Sequence, residues 1–171
     1  MYFKRIEPDN AVLKKIAALY RACFNAPDKG ENWTTETARQ YFQDRIEENA
    51  VFAVLEDDNH NLAGVCCGSA YQDSFIAREL AQDFKDCFYI SLVALSADYQ
   101  GKGLGKTMLR EYCALIDGMG FQSIMVRCRA DNEPMRRLLS RQNFKEIRRH
   151  TTPQGGVTCE RVIFMKNTKG I

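Results

Sequence analysis

The sequence predicts a mixed α/β fold in which one sheet carries helices on both of its faces. Three observations predict it. Stretches with apolar residues at alternate positions are interleaved with stretches at helical spacing. Cys87 to Ser96 is bulky and apolar throughout, as suits a central strand covered on both sides. The chain has 171 residues, 45 % of them hydrophobic, which suits one domain around one substantial core. A single domain is expected over residues 1–168.

The elements follow in order. Tyr2 to Ile6 is a short strand, and Pro8-Asp9-Asn10 then offers Asp9 or Asn10 as a helix cap. Val12, Leu13, Ile16, Tyr20, Cys23 and Phe24 recur at helical spacing. Asn25 to Trp33 is a polar turn segment, and a second helix follows from about Thr34, with Ala38, Tyr41, Phe42 and Ile46 on one face. Val51 to Leu55 and Leu62 to Tyr71 read as strands around the turn cluster Asp57 to Asn61, a hairpin pattern. Gln72 to Asp86 fits no element cleanly, although Phe75, Ile76 and Leu80 have the spacing of a short helix. After the strand at Cys87 to Ser96, Gly103 to Gly120 holds a helix with Leu104, Met108, Leu109, Tyr112, Leu115 and Ile116 as its apolar stripe. Ile124, Val126, Cys128 and Ala130 alternate on the next strand. Asn132 caps a short helix with Pro134 in its first turn, and Asn143 suits the left-handed residue that ends it. Phe144 to His150 and Thr158 to Lys166 are two final strands joined by Thr151 to Gly156. The order is therefore β-α-α-β-β-β-α-β-α-β-β, a mixed sheet with helices on both faces.

Composition narrows the function. Lysine and arginine number 24 against 22 acidic residues, a net charge of +2, which gives no electrostatic case for nucleic acid or a membrane surface. The 7 cysteines include no C-x-x-C pair, so no metal site is expected, and small apolar fillers in a reducing cytoplasm are the reading. Cys66 and Cys67 are adjacent and should face opposite sides of a strand; Cys128 and Cys159 are the thiols to watch for reactivity. The start Met1-Tyr2-Phe3-Lys4-Arg5 lacks the apolar run of a secretion signal, and no stretch reaches the roughly 18 apolar residues of a membrane span. A cytoplasmic protein is expected.

The sharpest local feature is Gln100-Gly101-Lys102-Gly103-Leu104-Gly105-Lys106-Thr107, set between a strand and a helix. Glycines bring the backbone close to a ligand, and the first amides of a helix lack intrahelical partners, so the turn makes a cradle for a phosphate or pyrophosphate. The P-loop spacing would put its first glycine at Gln100, and G-x-G-x-x-G would put its third at Met108, so neither an ATPase nor a dinucleotide fingerprint fits. The pattern Q/R-x-x-G-x-G/A is met in full by Gln100, Gly103 and Gly105.

Leu92 to Gly105 resembles the coenzyme A signature of the GNAT superfamily of N-acetyltransferases. Asn132, Leu138 and Phe144 are similar to that family's asparagine-capped helix and the strand after it, and the element order matches as far as about Lys166. The resemblance implies acetyl-CoA as cofactor, its pyrophosphate on the amides of Gln100, Gly101, Lys102, Gly103, Leu104, Gly105 and Lys106. It implies that the strand at Val93 and Leu95 pairs with the pantetheine arm, and that Asn132 faces that arm. It implies acetyl transfer to a primary amine, of a small molecule or an amino acid, by direct attack in a ternary complex, and pairing as a homodimer. A protein N-terminus or lysine is the alternative acceptor, and a non-turnover acyl-CoA sensor the alternative class.

Acetyl transfer needs a deprotonated amine, donors such as the Leu95 amide for the oxyanion, and stabilisation of the departing thiolate. Many relatives supply a tyrosine acid where this chain has Leu139, with Ser140 turned about 100° away. Where many relatives carry a glutamate this chain has Tyr89. Tyr89 and Ser91 are the candidate catalytic pair, expected on the face shared with Val93 and Leu95 unless a bulge breaks the alternation. Asp86, His150 and Cys128 are further proton-handling candidates. For the acceptor, Asp28 and Glu31 offer a site to a cation, and Arg148, Arg149 and His150 one to a carboxylate.

Overall fold

A computed structural model describes residues 1–168. Seven strands form one sheet in the order β1-β2-β3-β4-β5-β7-β6. They are β1 (Tyr2–Ile6), β2 (Val51–Glu56), β3 (Leu62–Ala70), β4 (Cys87–Leu95), β5 (Ser123–Arg129), β6 (Lys145–Gln154) and β7 (Val157–Asn167). The helices are α1 (Asn10–Phe24), α2 (Thr35–Glu47), α3 (Phe75–Leu80), α4 (Leu104–Asp117) and α5 (Glu133–Arg141). The expected mixed sheet with helices on both faces is what the chain forms. The ambiguous segment before β4 becomes α3, an element the expected order left out.

Local signals place the helix ends. Asp9 accepts from the Val12 amide at 2.8 Å and starts α1. Thr34 and Thr37 close a reciprocal capping box on α2. Asn132 caps α5, and Asn143, at φ 65, terminates the segment behind it. The last hairpin differs from the expectation. Its strands run on to a two-residue turn at Gly155-Gly156, both at positive φ, so Thr151 to Gln154 belong to β6.

The sheet separates two apolar layers. Met108, Leu109, Tyr112 and Ile116 of α4 and Leu139 of α5 pack on one face, with Cys66, Phe88, Ile90 and Val126. Leu13, Ile16 and Tyr20 of α1 and Phe42 of α2 pack on the other, with Phe52, Cys67, Leu92 and Ala94. Cys66 and Cys67 do face opposite sides. Each large apolar side chain so buried contributes about 1.5–3 kcal/mol. The Tyr112 hydroxyl, buried with its ring, donates to the Val51 carbonyl at 2.7 Å and so loses no hydrogen bond. No helix among the described residues is long and apolar enough to cross a membrane.

One pairing positions everything functional. All neighbours in the sheet are antiparallel except β4 and β5, which are parallel and joined through α4. Their ladder runs only from Cys87↔Ser123 to Ile90↔Val126. Beyond it β4 stays with β3 as far as Leu95↔Gly64, and β5 stays with β7 as far as Arg129↔Arg161. The sheet therefore splits between β4 and β5.

Candidate active site

The split begins at a bulge. Cys67 pairs with Leu92 and Gly68 with Ile90, leaving Ser91 as the extra residue of β4. The bulge reverses the expected alternation. Val93 and Leu95 lie on the α4–α5 face, whereas Tyr89 packs on the opposite face with Tyr71, Ile76 and Met125. Ser91 turns to Tyr89's side, where its hydroxyl donates to the Cys67 carbonyl at 3.1 Å and lies 3.3 Å from the Cys67 thiol. Tyr89 and Ser91 therefore do not share a face with Val93 and Leu95.

Main-chain parity decides what β4 offers to the split. The Ser96 amide donates to Ala63 at 2.8 Å, and with the observed register the amides of Ala94 and Leu92 also face β3. The N–H groups of Val93 and Leu95 then point the other way, across the gap where β5 has left. The Leu95 carbonyl on that side accepts from Gln100 Nε2 at 2.9 Å and from the Cys23 thiol at 3.4 Å.

Past β4 the chain makes a short 3-10 turn at Ala97–Tyr99, pinned by the Tyr99 hydroxyl on Asp57 Oδ2 at 2.7 Å. Gly101 and Gly103 both stand at φ 76, the left-handed region that favours glycine. Gly103 is the N-cap of α4 and supplies no side-chain cap, and the first turn holds no acidic residue. The amides of Leu104, Gly105 and Lys106 thus lack intrahelical partners, and the helix dipole adds partial positive charge there. A Cβ on Gly101 or Gly103 would meet nothing within 4 Å, so the cradle is open outward and fits a pyrophosphate. Lys102 spends its ammonium on the Asp98 carbonyl at 2.9 Å, within the turn itself.

A cavity of about 1120 Å³ passes through the split. At one end are Val93, Cys128, Asn132 and Met135, and at the other Tyr41, Phe75, Glu79 and Tyr89. Asn132 Oδ1 caps α5 by accepting from Met135 at 3.2 Å, while the residue also lines the cavity. The cap therefore leaves Asn132 in the cavity wall.

The far end is built from side chains that several elements bring together. Arg45, buried on α2, lies 4.5 Å from the ring centroids of both Tyr41 and Phe75 and pairs with buried Glu48 at 2.8 Å. It fixes two walls of the cavity. Tyr20 stacks on Tyr41 at 5.1 Å and meets the Trp33 edge at 4.8 Å, and Trp33 Nε1 donates to Glu31 Oε2 at 2.5 Å. Arg127 of β5 donates to Glu79 at 2.5 Å and to His150 Nε2 at 3.2 Å. Burial pushes the Tyr89 hydroxyl above the usual tyrosine range, with nearby Arg127 partly offsetting it. Burial and the charge of Arg127 hold His150 below the usual histidine value, so it is neutral at pH 7 and accepts from Arg127.

A roof closes this end. Lys29, in the connection between α1 and α2, pairs with Asp131 at 3.3 Å. Beside it Gly30 touches the β6–β7 turn so closely that a Cβ there would lie 2.0 Å from the Gln154 carbonyl, and one on Gly155 2.4 Å from the Gly30 carbonyl.

Other expected residues fall elsewhere. Leu139 is fully buried among the core side chains, so its position holds packing rather than an acid. Ser140 is exposed on the outer side of α5. Burial pushes the Cys128 thiol up to about 11, which keeps it protonated and unreactive at neutral pH. Asp86 lies ahead of β4, where its carbonyl accepts from Gln122 at 2.8 Å, away from the cavity. Arg148 and Arg149, both exposed and on opposite faces of β6, bind Gln82 and Glu146, so of the predicted carboxylate-binding trio only His150 bonds to Arg127. Asp28 is exposed outside the cavity, while Glu31 lines it. Sequence reasoning missed Arg127, Glu79 and Arg161. The signal for the arginines was present: Arg127 and Arg129 alternate with Val126 and Cys128 on a strand whose two faces are both covered, so they must face something polar.

The family model described as acetyltransferase (GNAT) family matches residues 13–144. Among solved structures, a phosphinothricin acetyltransferase from Sinorhizobium meliloti in complex with AcCoA is 18 % identical, with a TM-score of 0.73 over 99 % of this chain and 91 % of that one. The ribosomal-protein-alanine N-acetyltransferase from Brucella melitensis is 16 % identical, with a TM-score of 0.73 over 98 % of this chain and 99 % of that one. An N-acetyltransferase from Staphylococcus aureus is 16 % identical, with a TM-score of 0.73 over 99 % and 100 %. At such identities the likeness is one of fold. No curated protein matches.

Proposed function

The chain belongs to the acetyltransferase (GNAT) family, and from that premise we propose that it moves the acetyl group of acetyl-CoA onto the primary amine of a small molecule or an amino acid, by direct attack in a ternary complex. One observation carries the reading: the cavity through the β4–β5 split lets a donor on the α5 side and an acceptor on the α3 side meet within the sheet. The roof from Gly30 to Gly155 favours a small acceptor, because it narrows the far end on the side a folded protein would approach. Residues 1–168 act as one acetyltransferase domain. The seven free thiols favour a reducing cytoplasmic setting.

When bound, acetyl-CoA supplies a thioester carbonyl as the acyl donor. The amides of Gly101 to Lys106 would hold its pyrophosphate, the Gln100 amide being spent on the Ala97 carbonyl at 3.2 Å, and the Val93 and Leu95 amides that face the split would pair with its arm. The Val93 amide, the farther of the two from the turn, lies nearer the reacting end and shares with Leu95 the donation to the oxyanion. Holding the two reactants in one cavity supplies much of the rate, since good orientation alone is worth roughly 7–11 kcal/mol in the best cases. The bound ammonium would first release one proton to solvent; as the C–N bond formed and the C–S bond broke, the neutral amine would give up a second proton and the sulfur would gain one. Tyr89, like any tyrosine, is protonated at neutral pH, and burial only adds to that, so the role open to it is proton donor rather than base. Ser91, its hydroxyl committed to Cys67, shapes the bulge that aims the Val93 amide.

Calorimetry with acetyl-CoA and with free coenzyme A, followed by mass spectrometry of an amine panel, tests the reading. Binding of acetyl-CoA together with acetylation of at least one small amine supports it. Absence of binding by the folded protein would remove it.

A further inference from the structure

Three arginines lie on the acceptor side of the cavity: Arg127 and Arg129 of β5 and Arg161 of β7, the last paired with Arg129 across the ladder. Two of them are neutralised within the protein. Arg127 binds Glu79 at 2.5 Å, and Arg129 binds Asp131 at 2.9 Å. Arg161, half-buried, has no carboxylate within ion-pair distance among the described residues; it donates only to the neutral Thr152 hydroxyl at 3.4 Å and to the Gln154 side-chain oxygen. The carboxylates lining the cavity divide in the same way. Glu79 and Asp131 carry arginine or lysine partners, whereas Glu31 accepts only from the neutral Trp33 indole. Asp131 is shared by Arg129 and Lys29, so Arg161 is the one cation of the lining, and Glu31 the one anion, without a charged partner among the described residues. A guanidinium in a partly desolvated wall with neutral partners is costly unless a ligand completes it, and its planar fork suits a carboxylate. Gln154 links the segments that carry the two charges. The Gln154 side chain holds Arg161, and the Gln154 carbonyl abuts Gly30, the residue before Glu31.

We propose that the acceptor is a zwitterion, a free α-amino acid or close analogue, held with its carboxylate on Arg161 and its ammonium on the side of Glu31. This rests on the acetyltransferase reading above and narrows its acceptor. A peptide N-terminus has no carboxylate beside its amine and leaves Arg161 uncompensated, as does a simple alkylamine.

The test measures kcat/KM for the standard L-amino acids, and then, for the best of them, the amine formed by loss of its carboxyl group, its methyl ester and a tripeptide bearing it at the N-terminus. The expected result is a preference for the amino acid over all three by about 10- to 100-fold, the range of a charge-assisted hydrogen bond. Arg161→Gln should abolish that preference by raising KM for the amino acid, Arg161→Lys should keep part of it, and neither should move KM for acetyl-CoA by more than about threefold. Equal or better use of the decarboxylated amine, the ester or the tripeptide by the wild type overturns the proposal, as does an equal loss with every acceptor in Arg161→Gln. If acetyl-CoA binds but no acceptor turns over, the acetyltransferase reading fails. The inference is then decided by calorimetry of the amino acids with the coenzyme A-loaded protein: binding that Arg161→Gln removes supports it, and no binding overturns it.

Discussion

The two ends of the cavity are built from different material. The end proposed for the donor offers main chain: the amides of Gly101 to Lys106, with Gly101 and Gly103 at φ 76, and the Val93 and Leu95 amides facing the split. The acceptor end uses side chains from distant segments: Glu31 and Trp33 before α2, Phe75 and Glu79 on α3, Tyr89 on β4, Arg127 on β5 and Arg161 on β7. Backbone amides are the same in every protein, so a fixed turn suits one invariant donor. Side chains differ at each position, so in the proposed reading the acceptor end carries this chain's specificity.

That contrast predicts separable losses. The largest follows Gly103→Glu. It puts a carboxylate where the anion binds and a β-carbon on a backbone at φ 76, so acetyl-CoA affinity should fall by at least about 100-fold in calorimetry. Gly103→Ala, which adds the strain without the charge, should lose much less; equal losses would break the assignment of the turn to a phosphate. Next, Tyr89→Phe keeps the ring packing and removes the hydroxyl, so kcat should drop by about 10- to 100-fold with the Kd for acetyl-CoA unchanged. An unchanged kcat would make Tyr89 a wall of the acceptor end only. Gly155→Ala drives a methyl group into the Gly30 carbonyl, and should cost about 1–3 kcal/mol in denaturant titration. It should also raise KM for the acceptor while sparing acetyl-CoA. A matched rise in both would mean that the roof serves the two ends alike.

The smallest effect near neutrality is on stability. Burial raises Cys66, Cys67 and Tyr112 above their ordinary values, Cys67 up to about 12. A group whose folded value lies above its unfolded one stabilises fully below the unfolded value, and that contribution is lost as pH climbs toward the folded one. Tm should therefore hold from pH 7 to about 9, near the ordinary cysteine value, and fall by a few degrees by about pH 10. A flat Tm through that window would mean that these groups remain protonated in the unfolded chain as well.

Much of this was legible in the chain. Alternation and helical spacing located every strand and four of the five helices, because burial of one face imposes period on the sequence. The glycines at 101 and 103 announced the turn, since few other residues tolerate positive φ. Asn132 showed its cap for a similar reason: the requirement is local, and the residue type answers it. The face of Tyr89 was not legible. Alternation put it beside Val93, and a single extra residue at Ser91, produced by pairing with β3, carried it to the other side. Nor did the sequence show which arginine would stand alone. Arg127, Arg129 and Arg161 look alike along the chain, and only the arrival of Glu79 from α3 and Asp131 from the β5–α5 turn separates two that are satisfied from one that is not. Periodicity, capping and turn chemistry depend on neighbours within a few residues, so the sequence by itself determined the elements and the donor turn. Compensation of charge and the parity of a bulged strand depend on segments tens of residues apart, so only the tertiary structure decided the acceptor end.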